Sequence, residues 1–224
     1  MGSKHDERCR KIRIGDVMSN SKSWMRRHLT DPYVKEAQRL GYASRAAFKL
    51  LEIQKRDKLF KPGMTVVDLG SAPGGWSQVV SQCLGDHGNI IALDLLPMDS
   101  VPGVTFIQGD FNDDAVLDQL IEALNGKQVD VIVSDIAPNL SGQRCVDLPR
   151  SIHLLELALD CAGKILKPDG SFLFKAFQGA GLEDFLRDVK LLFKQVKYRK
   201  PESSRSESTE LYVLATGFRG LYTT

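Results

Sequence analysis

Residues 65–76 read TVVDLGSAPGGW, and this stretch decides the fold. Its first five residues form an apolar run that does not alternate with polar residues, which is typical of a strand covered on both faces of a parallel sheet. Three glycines follow, and glycine lets the backbone turn sharply and lets a ligand contact main-chain atoms. The stretch therefore predicts a buried strand, a ligand-binding loop and the start of a helix, in that order.

Outward from this stretch, apolar runs alternate with amphipathic helical patterns. The strand-like runs are Thr65–Leu69, Ile90–Leu93, Val104–Gln108, Val129–Ser134, Ser171–Phe177, Gln195–Arg199 and Leu211–Thr216. Helical patterns cover residues 76–85, 114–124, 149–166 and 181–193, and further helices are expected from Asp31-Pro32 and at Ser44–Lys58. The third pattern is expected to open near Pro149 and to close at the turn of residues 167–170. The alternation predicts an α/β fold with a seven-stranded, mostly parallel, Rossmann-like sheet, an antiparallel edge strand and helices on both faces.

Composition predicts one ordinary globular domain. The 224 residues are 42% hydrophobic and 26% charged, without an apolar run of about 18 residues or an apolar N-terminal leader. The four cysteines are widely spaced and form no C-x-x-C pair, which argues against a zinc site or a redox motif. We therefore expect a flexible basic tail at residues 1–22 and one domain at 23–220, in a cytoplasmic, monomeric protein with reduced thiols, no membrane association and no metal.

Charge is unevenly distributed along the chain. Residues 1–60 hold 15 Lys and Arg against 7 Asp and Glu, residues 61–160 hold 4 against 14, and residues 161–224 hold 11 against 7. The basic ends could form one face that meets nucleic-acid phosphates, or they could be solvated helix faces, and charge alone leaves both interpretations open. On the first interpretation, the helical part at residues 23–60 would bind RNA, with Arg26, Arg27 and Arg45 among its phosphate ligands.

The glycine loop does not match three familiar ligand-loop motifs. A phosphate-binding Walker A loop needs Gly-Lys-Ser/Thr, which is missing. The spacing of Gly70 and Gly74 differs from the G-x-G-x-x-G of dinucleotide-binding loops, and a nucleophile elbow around Ser77 would need glycine where Val79 stands. A plain strand-to-helix turn is the alternative, but three glycines and a proline exceed what such a turn requires.

Acidic residues follow the second and third strands. Asp94 ends the second run, where a carboxylate can accept hydrogen bonds from both ribose hydroxyls, and Asp110 follows the third, where it can meet an adenine edge. Each aspartate could instead cap the next helix. Together with the glycine loop they describe a pocket for an adenosine without phosphates, and S-adenosylmethionine is such a ligand.

Charged residues also collect at the ends of the remaining strands. Asp135 follows the fourth strand, and Lys175 lies inside the apolar fifth run, where a charge is costly unless it is paired or functional. The alternative for Lys175 is a lysine that reaches water from the strand end. Glu210 opens a strand predicted to be antiparallel, so that its start lies at the same sheet edge as the other two.

Several stretches resemble the FtsJ/RrmJ family of RNA ribose 2′-O-methyltransferases over about residues 23–217. They are SRAAFKL at 44–50, DLGSAPGGW at 68–76, DLLPM at 94–98, QGDF at 108–111, SDIAPNLSG at 134–142 and PESSR at 201–205. The resemblance implies a methyltransferase fold and methyl transfer from S-adenosylmethionine to the ribose 2′-hydroxyl of a uridine in 23S ribosomal RNA of the large ribosomal subunit. Transfer RNA or messenger-cap substrates, and a non-catalytic ribosome-assembly role, stay open, whereas a dehydrogenase would need the missing G-x-G-x-x-G.

The resemblance also assigns site residues. It implies a catalytic set of Lys49, Asp135, Lys175 and Glu210, and cofactor positions at Gly74, Trp76, Asp94, Asp110 and Asp135. We expect Lys175 to be the base that removes the 2′-hydroxyl proton, or alternatively a cation that stabilises the developing alkoxide. Trp76 is expected to contact the cofactor because it adjoins the glycine loop, although it could instead anchor the start of its helix.

Overall fold

The computed structural model describes residues 30–139 and 141–220, which form one seven-stranded sheet. The strands are β1 (Thr65–Leu69), β2 (Asn89–Asp94), β3 (Val104–Gln108), β4 (Val129–Ser134), β5 (Leu166–Phe177), β6 (Phe193–Arg199) and β7 (Glu210–Phe218). Their order is β3-β2-β1-β4-β5-β7-β6. Strands β1 to β5 pair in parallel, whereas β7 is antiparallel to both β5 and β6.

Helices cover both faces of this sheet. They are α1 (Pro32–Leu40), α2 (Ala46–Asp57), α3 (Gly75–Leu84), α4 (Asp114–Leu124), α5 (Arg144–Ile165) and α6 (Leu182–Leu192), with a 3₁₀ turn at Gly85–His87. Buried side chains of α2 and α3, such as Leu50 and Val79, pack on one face of the sheet, and those of α4, α5 and α6, such as Leu120 and Phe185, pack on the other. Within the described ranges, no helix has the length and apolar character needed to cross a membrane.

Local chemistry explains where the first helix begins and ends. The Asp31 carboxylate accepts a hydrogen bond from the Tyr33 N–H at 3.0 Å, and Pro32 occupies the first helical position, where its missing N–H costs nothing. The helix ends at Gly41, whose φ of 76° is the left-handed conformation that glycine adopts without strain. This confirms the predicted helix start at Asp31-Pro32.

The junction of α5 and β5 departs from the sequence prediction. Helix α5 begins at Arg144, and Pro149 lies inside its second turn instead of opening it. Strand β5 begins at Leu166, so the predicted turn at 167–170 is an irregularity within the strand: Val129 pairs with Leu166, but Val131 pairs with Ser171. Pairing of Leu166 with β4 keeps this segment in the sheet despite its proline and glycine.

The predicted fold class is confirmed, including an antiparallel pairing at the β6 edge. The reversed strand itself, β7, lies second from that edge, between β5 and β6. The basic tail at residues 1–22 and Arg26 and Arg27 of the proposed RNA-binding part lie outside the described residues. The division into a tail and a domain at 23–220 therefore stays a prediction.

Candidate active site

The glycine loop after β1 lies against the loops that follow β2 and β4. The N–H groups of Gly70 and Ser71 both donate to the Leu93 carbonyl, at 2.8 and 3.2 Å. Gly70 has a φ of 75°, and a Cβ atom there would lie 2.3 Å from Cγ1 of Ile136. Only glycine therefore allows both the turn of this backbone and its close approach to the β4 loop.

Gly74 allows the backbone conformation at the end of the same loop. It precedes α3 with a φ of 109°, which side-chain-bearing residues rarely adopt, and a Cβ atom there would lie 3.2 Å from Sδ of Met98. The missing side chain thus faces Met98, so the backbone angle is the constraint that requires glycine at this position. A contact between Gly74 and a cofactor stays a prediction.

The ends of four strands enclose a cavity of about 410 Å³ at the carboxyl edge of the sheet. Asp94, Asp110 and Asp135, three of the predicted cofactor residues, line it together with Gly70 and Ala72 of the glycine loop. The cavity lies where strand order reverses between β1 and β4, the usual ligand position of such sheets. Its volume falls within the range of small-molecule sites.

The two aspartates at the ends of β2 and β3 are held by hydrogen bonds. Asp94 accepts one from the Ala72 N–H through Oδ2 and one from the Leu96 N–H through Oδ1, both at 2.8 Å. Asp110 accepts two bonds at Oδ1 from Asn112, one from the main chain and one from the side chain. Because each carboxylate oxygen has two lone pairs, both aspartates keep acceptor sites for hydroxyl or amino groups of a ligand.

The indole of Trp76 anchors its helix. The side chain is 2% exposed, its Nε1–H donates to the Ala46 carbonyl at 2.9 Å, and its ring packs against Tyr212 with centroids 5.7 Å apart. The anchoring role that the sequence left as the alternative is therefore the one that this side chain performs. The expected cofactor contact at residue 76 would have to use the main chain.

Lys175 and Asp135 form an ion pair at the cavity's edge. Lys175 Nζ donates to the Asp135 main-chain carbonyl at 2.6 Å and lies 3.1 Å from its Oδ1. Its side chain is only 9% exposed, so the lysine does not escape into water from the strand end. Tyr212 donates its buried hydroxyl to the same Oδ1 at 2.9 Å.

Lys49 and Glu210 form a second ion pair beside the first. Lys49 Nζ lies 2.6 Å from Oε1 of Glu210 and 5.5 Å from the centre of the Tyr212 ring. Burial would raise the pKa of Glu210, but the charge and hydrogen bond of Lys49 outweigh it and lower that pKa. The structure thus brings all four members of the predicted catalytic set into two neighbouring ion pairs, while their roles stay predictions.

Sequence analysis missed a fully buried carboxyl group behind the glycine loop. Asp68 accepts a hydrogen bond from Ser77 Oγ at 2.6 Å through Oδ2, and its Oδ1 has no hydrogen-bond partner. Burial, together with the charges of Asp135 and Asp94, raises the pKa of Asp68 to about 7. An aspartate inside the apolar run of β1 was the signal that could have revealed it.

Arg45 holds separate segments of the chain together, which corrects its expected role as a phosphate ligand. Its guanidinium bonds the Asp31 carboxylate and the Ser203 carbonyl, and its side chain is 15% exposed. Arg205 approaches the same Asp31 carboxylate at 3.5 Å. These contacts tie the starts of α1 and α2 to the segment before β7, so reversing the charge of Arg45 would disturb the fold.

Within residues 30–139 and 141–220, no group of three or more His, Cys, Asp or Glu side chains is arranged to hold a metal ion.

Comparison with known proteins places the chain in a family. The model of the FtsJ-like methyltransferase family matches residues 42–218. Proteins named ribosomal RNA large subunit methyltransferase E are 56% identical over 200 residues, covering 89% of this chain and 96% of the Pseudomonas fluorescens protein and 97% of the Pseudomonas aeruginosa protein. A crystal structure of a Plasmodium falciparum protein, described as a ribosomal RNA methyltransferase, is 29% identical with a TM-score of 0.72 and covers 80% of this chain and 100% of its own. The chain belongs to the FtsJ-like methyltransferase family.

Proposed function

We propose that this protein transfers a methyl group from S-adenosylmethionine to the ribose 2′-hydroxyl of a uridine in 23S ribosomal RNA of the large ribosomal subunit. The observation that carries the proposal is that Asp135 belongs both to the cavity and to the ion pair with Lys175. This residue lines the cavity of about 410 Å³ and also binds Lys175 Nζ. A methyl donor in the cavity and a hydroxyl at Lys175 would therefore meet at one residue.

The cavity fits the adenosine part of the donor. Asp94 and Asp110 would accept hydrogen bonds from ribose hydroxyls and the adenine edge, and Gly70 and Ala72 would present main-chain atoms. When bound, S-adenosylmethionine supplies a methyl group on a positively charged sulfur. The exposed side chains of Leu95 and Leu96, which line the cavity mouth, offer apolar surface to the adenine ring.

Lys175 would position and deprotonate the 2′-hydroxyl. A neutral lysine amine has two N–H groups and one lone pair, and Asp135 presents two acceptors, its carbonyl and its Oδ1. With both N–H groups directed to Asp135, the lone pair is available for the hydroxyl proton. A protonated Lys175 would instead direct its third N–H at the developing alkoxide, and both forms use the same geometry.

Lys49 and Glu210 would orient this pair and the substrate. Their mutual ion pair holds the ammonium of Lys49 over the ring of Tyr212, whose hydroxyl binds Asp135. The order of contacts therefore runs from Glu210 through Lys49 and Tyr212 to Asp135 and Lys175. Much of the rate enhancement would come from holding the hydroxyl in line with the methyl group.

The test is methyl transfer from labelled S-adenosylmethionine to 23S ribosomal RNA and to large ribosomal subunits, with 2′-O-methyl positions mapped afterwards. We expect Lys175→Ala to bind S-adenosylmethionine as the unmodified protein does and to lose methyl transfer at least about 100-fold, because general-base catalysis commonly contributes that much. A variant with near-normal turnover would remove Lys175 from the mechanism. Labelling of transfer RNA alone would reject the proposed substrate. Labelling of no RNA would reject the catalytic role itself. We place this activity in the cytoplasm and in a monomer.

A further inference from the structure

A second groove lies between α2 and the segment that joins β6 to β7. Its volume is about 490 Å³, and it is separate from the cavity at the carboxyl edge. The residues that line it are Glu52, Ile53, Lys55, Arg56, Arg199, Lys200, Pro201 and Glu202. None of them has a part in the proposed chemistry.

Two of the charged side chains that line this groove hold its walls in place. Both oxygens of Glu52 accept main-chain hydrogen bonds, from Glu202 at 2.6 Å and Ser203 at 3.0 Å. Arg199 forms a two-pronged pair with Asp57, at 2.5 and 2.7 Å. These bonds hold the two walls of the groove together. The pair of Arg199 with Asp57 is neutral, whereas Glu52 keeps its negative charge.

The remaining groups make the groove basic. Lys55 and Arg56 are exposed and pair with no carboxylate among the residues that the structure describes. Lys200 adds a third positive charge, since its ammonium bonds only main-chain carbonyls, those of Ser208 and Glu210. Glu52 and Glu202 oppose them, so the lining keeps one net positive charge once Arg199 is paired with Asp57.

This groove lies beside the catalytic set. Glu52 and Ile53 lie three and four residues after Lys49, and Arg56 lies four and three residues after them, so the four share one face of α2. With a rise of about 1.5 Å per residue, Arg56 lies about 10 Å along the helix from Lys49. Lys200 closes the other wall by binding the carbonyl of Glu210, whose carboxylate holds Lys49.

We propose that the groove binds phosphates of the single-stranded RNA that flanks the target nucleotide, with Lys55, Arg56 and Lys200 as the ligands. The inference rests on the proposed function, because it assumes that a ribose is delivered to Lys175. A strand that leaves the target ribose beside Lys49 meets these three cations next. Lys55 and Arg56 are exposed without a carboxylate partner in the described part of the chain, and Lys200 keeps one N–H beyond its two main-chain bonds, so all three can bind phosphate.

The test is the salt dependence of binding to a fluorescein-labelled 20-nucleotide oligouridylate. The variant is Lys55→Glu with Arg56→Glu. Each phosphate contact on a single strand contributes a slope of about −0.7 to log K against log salt, so losing two contacts flattens the slope by about 1.4. Raising the salt from 50 to 200 mM weakens RNA binding by some factor in each protein. This factor should be about sevenfold smaller for the variant than for the unmodified protein. The matched control, Lys127→Glu with Arg187→Glu, reverses the same two residue types away from the groove and should keep the original slope.

Three further measurements separate the possible failures. Steady-state methyl transfer to large ribosomal subunits should show a raised KM for RNA in the groove variant, with S-adenosylmethionine affinity and the unfolding midpoint in urea unchanged. An unchanged slope and KM would overturn the groove proposal while leaving the proposed function intact. If the unmodified protein methylated no RNA, the proposed function would fail, and the oligouridylate slope would still decide whether the groove binds RNA.

Discussion

Replacing Asp68 by asparagine should change how the stability of this protein depends on pH. Asp68 is fully buried, and burial raises its pKa from 3.8 to about 7, assisted by the charges of Asp135 and Asp94 and opposed by the Ser77 hydrogen bond. Asparagine has nearly the same shape, carries no charge at any pH and can still accept the Ser77 bond. The substitution therefore removes one ionisation and little else.

The sign follows from proton binding in the two states. Between about pH 4 and pH 7 the native carboxyl group is protonated and the unfolded one is not, so its contribution to the free energy of unfolding falls by about 1.4 kcal/mol per pH unit as pH rises. Above pH 7 both states are ionised and the contribution is constant. Between pH 5 and pH 8 the stability of Asp68→Asn relative to the unmodified protein should therefore rise by about 2.7 kcal/mol.

Urea unfolding of the cofactor-free protein at pH 5, 6, 7 and 8 measures this difference. Any constant effect of the new amide, such as an unpaired N–H where Oδ1 had no partner, cancels because only the change with pH is used. Asp118→Asn, at an exposed position of α4, is the control and should show a difference that does not vary with pH. A pH-independent difference for Asp68→Asn would refute the reasoning, since it would mean that Asp68 is ionised in the native protein throughout this range.

Two further substitutions test the loop and a buried ion pair. Gly74→Val should weaken S-adenosylmethionine binding roughly 5- to 150-fold in calorimetry, because a β-branched residue at a φ of 109° strains the loop by about 1–3 kcal/mol and crowds Met98. Gly63→Val, at a φ of 81° in open space, is the matched control and should leave binding unchanged. Unaltered affinity in Gly74→Val would show that the loop is not the site. Asp57→Asn should lower the free energy of unfolding at pH 7 by about 3 kcal/mol, because it leaves the largely buried positive charge of Arg199 without its partner. The Arg199 hydrogen bond lowers the pKa of Asp57 in the native protein. The loss of stability should therefore be full above the pKa of the unfolded chain, near 4, and should shrink as the pH falls through the lower native pKa. A loss of stability that persisted in strong acid would contradict this prediction.

Much of the sheet was predictable because several of its parallel strands are short, mostly apolar runs. The bounds of β1, β3 and β4 match the predicted runs, and α4 matches its predicted residues because Asp113 caps it. Helix α5 was predicted to begin five residues too late, since Pro149 looks like a first-turn residue. Its true start depends on Asp147, which accepts hydrogen bonds from the N–H groups of Ser141 and Gly142 and so shapes the loop that enters the helix.

The site was predictable to the extent that topology determines it. Parallel strand ends meet at one edge, and this alone placed Asp94, Asp110, Asp135 and Lys175 together. Lys49 came only from the family resemblance, because no periodicity tells which residue of a preceding helix reaches the sheet edge. Trp76 and Arg45 were assigned to ligands by their sequence neighbours and their charge, whereas their partners, Ala46, Asp31 and Ser203, are set by tertiary packing.

The reversed direction of β7 is what completes the catalytic set. Because β7 runs antiparallel to β5, its first residue, Glu210, pairs with Phe177 at the carboxyl edge, whereas in a parallel strand it would lie at the opposite edge. Register then decides the face. Tyr212 pairs with Lys175, side chains of paired residues point to the same face, and Glu210 shares that face two residues earlier. It is the face that α2 covers, since Tyr212 packs with Leu50 in the same core, whereas Phe172, Phe174 and Ala176 point into the other one. A register slip of one residue between β5 and β7 would turn Glu210 and Tyr212 away from Lys49. The two ion pairs would then no longer lie side by side.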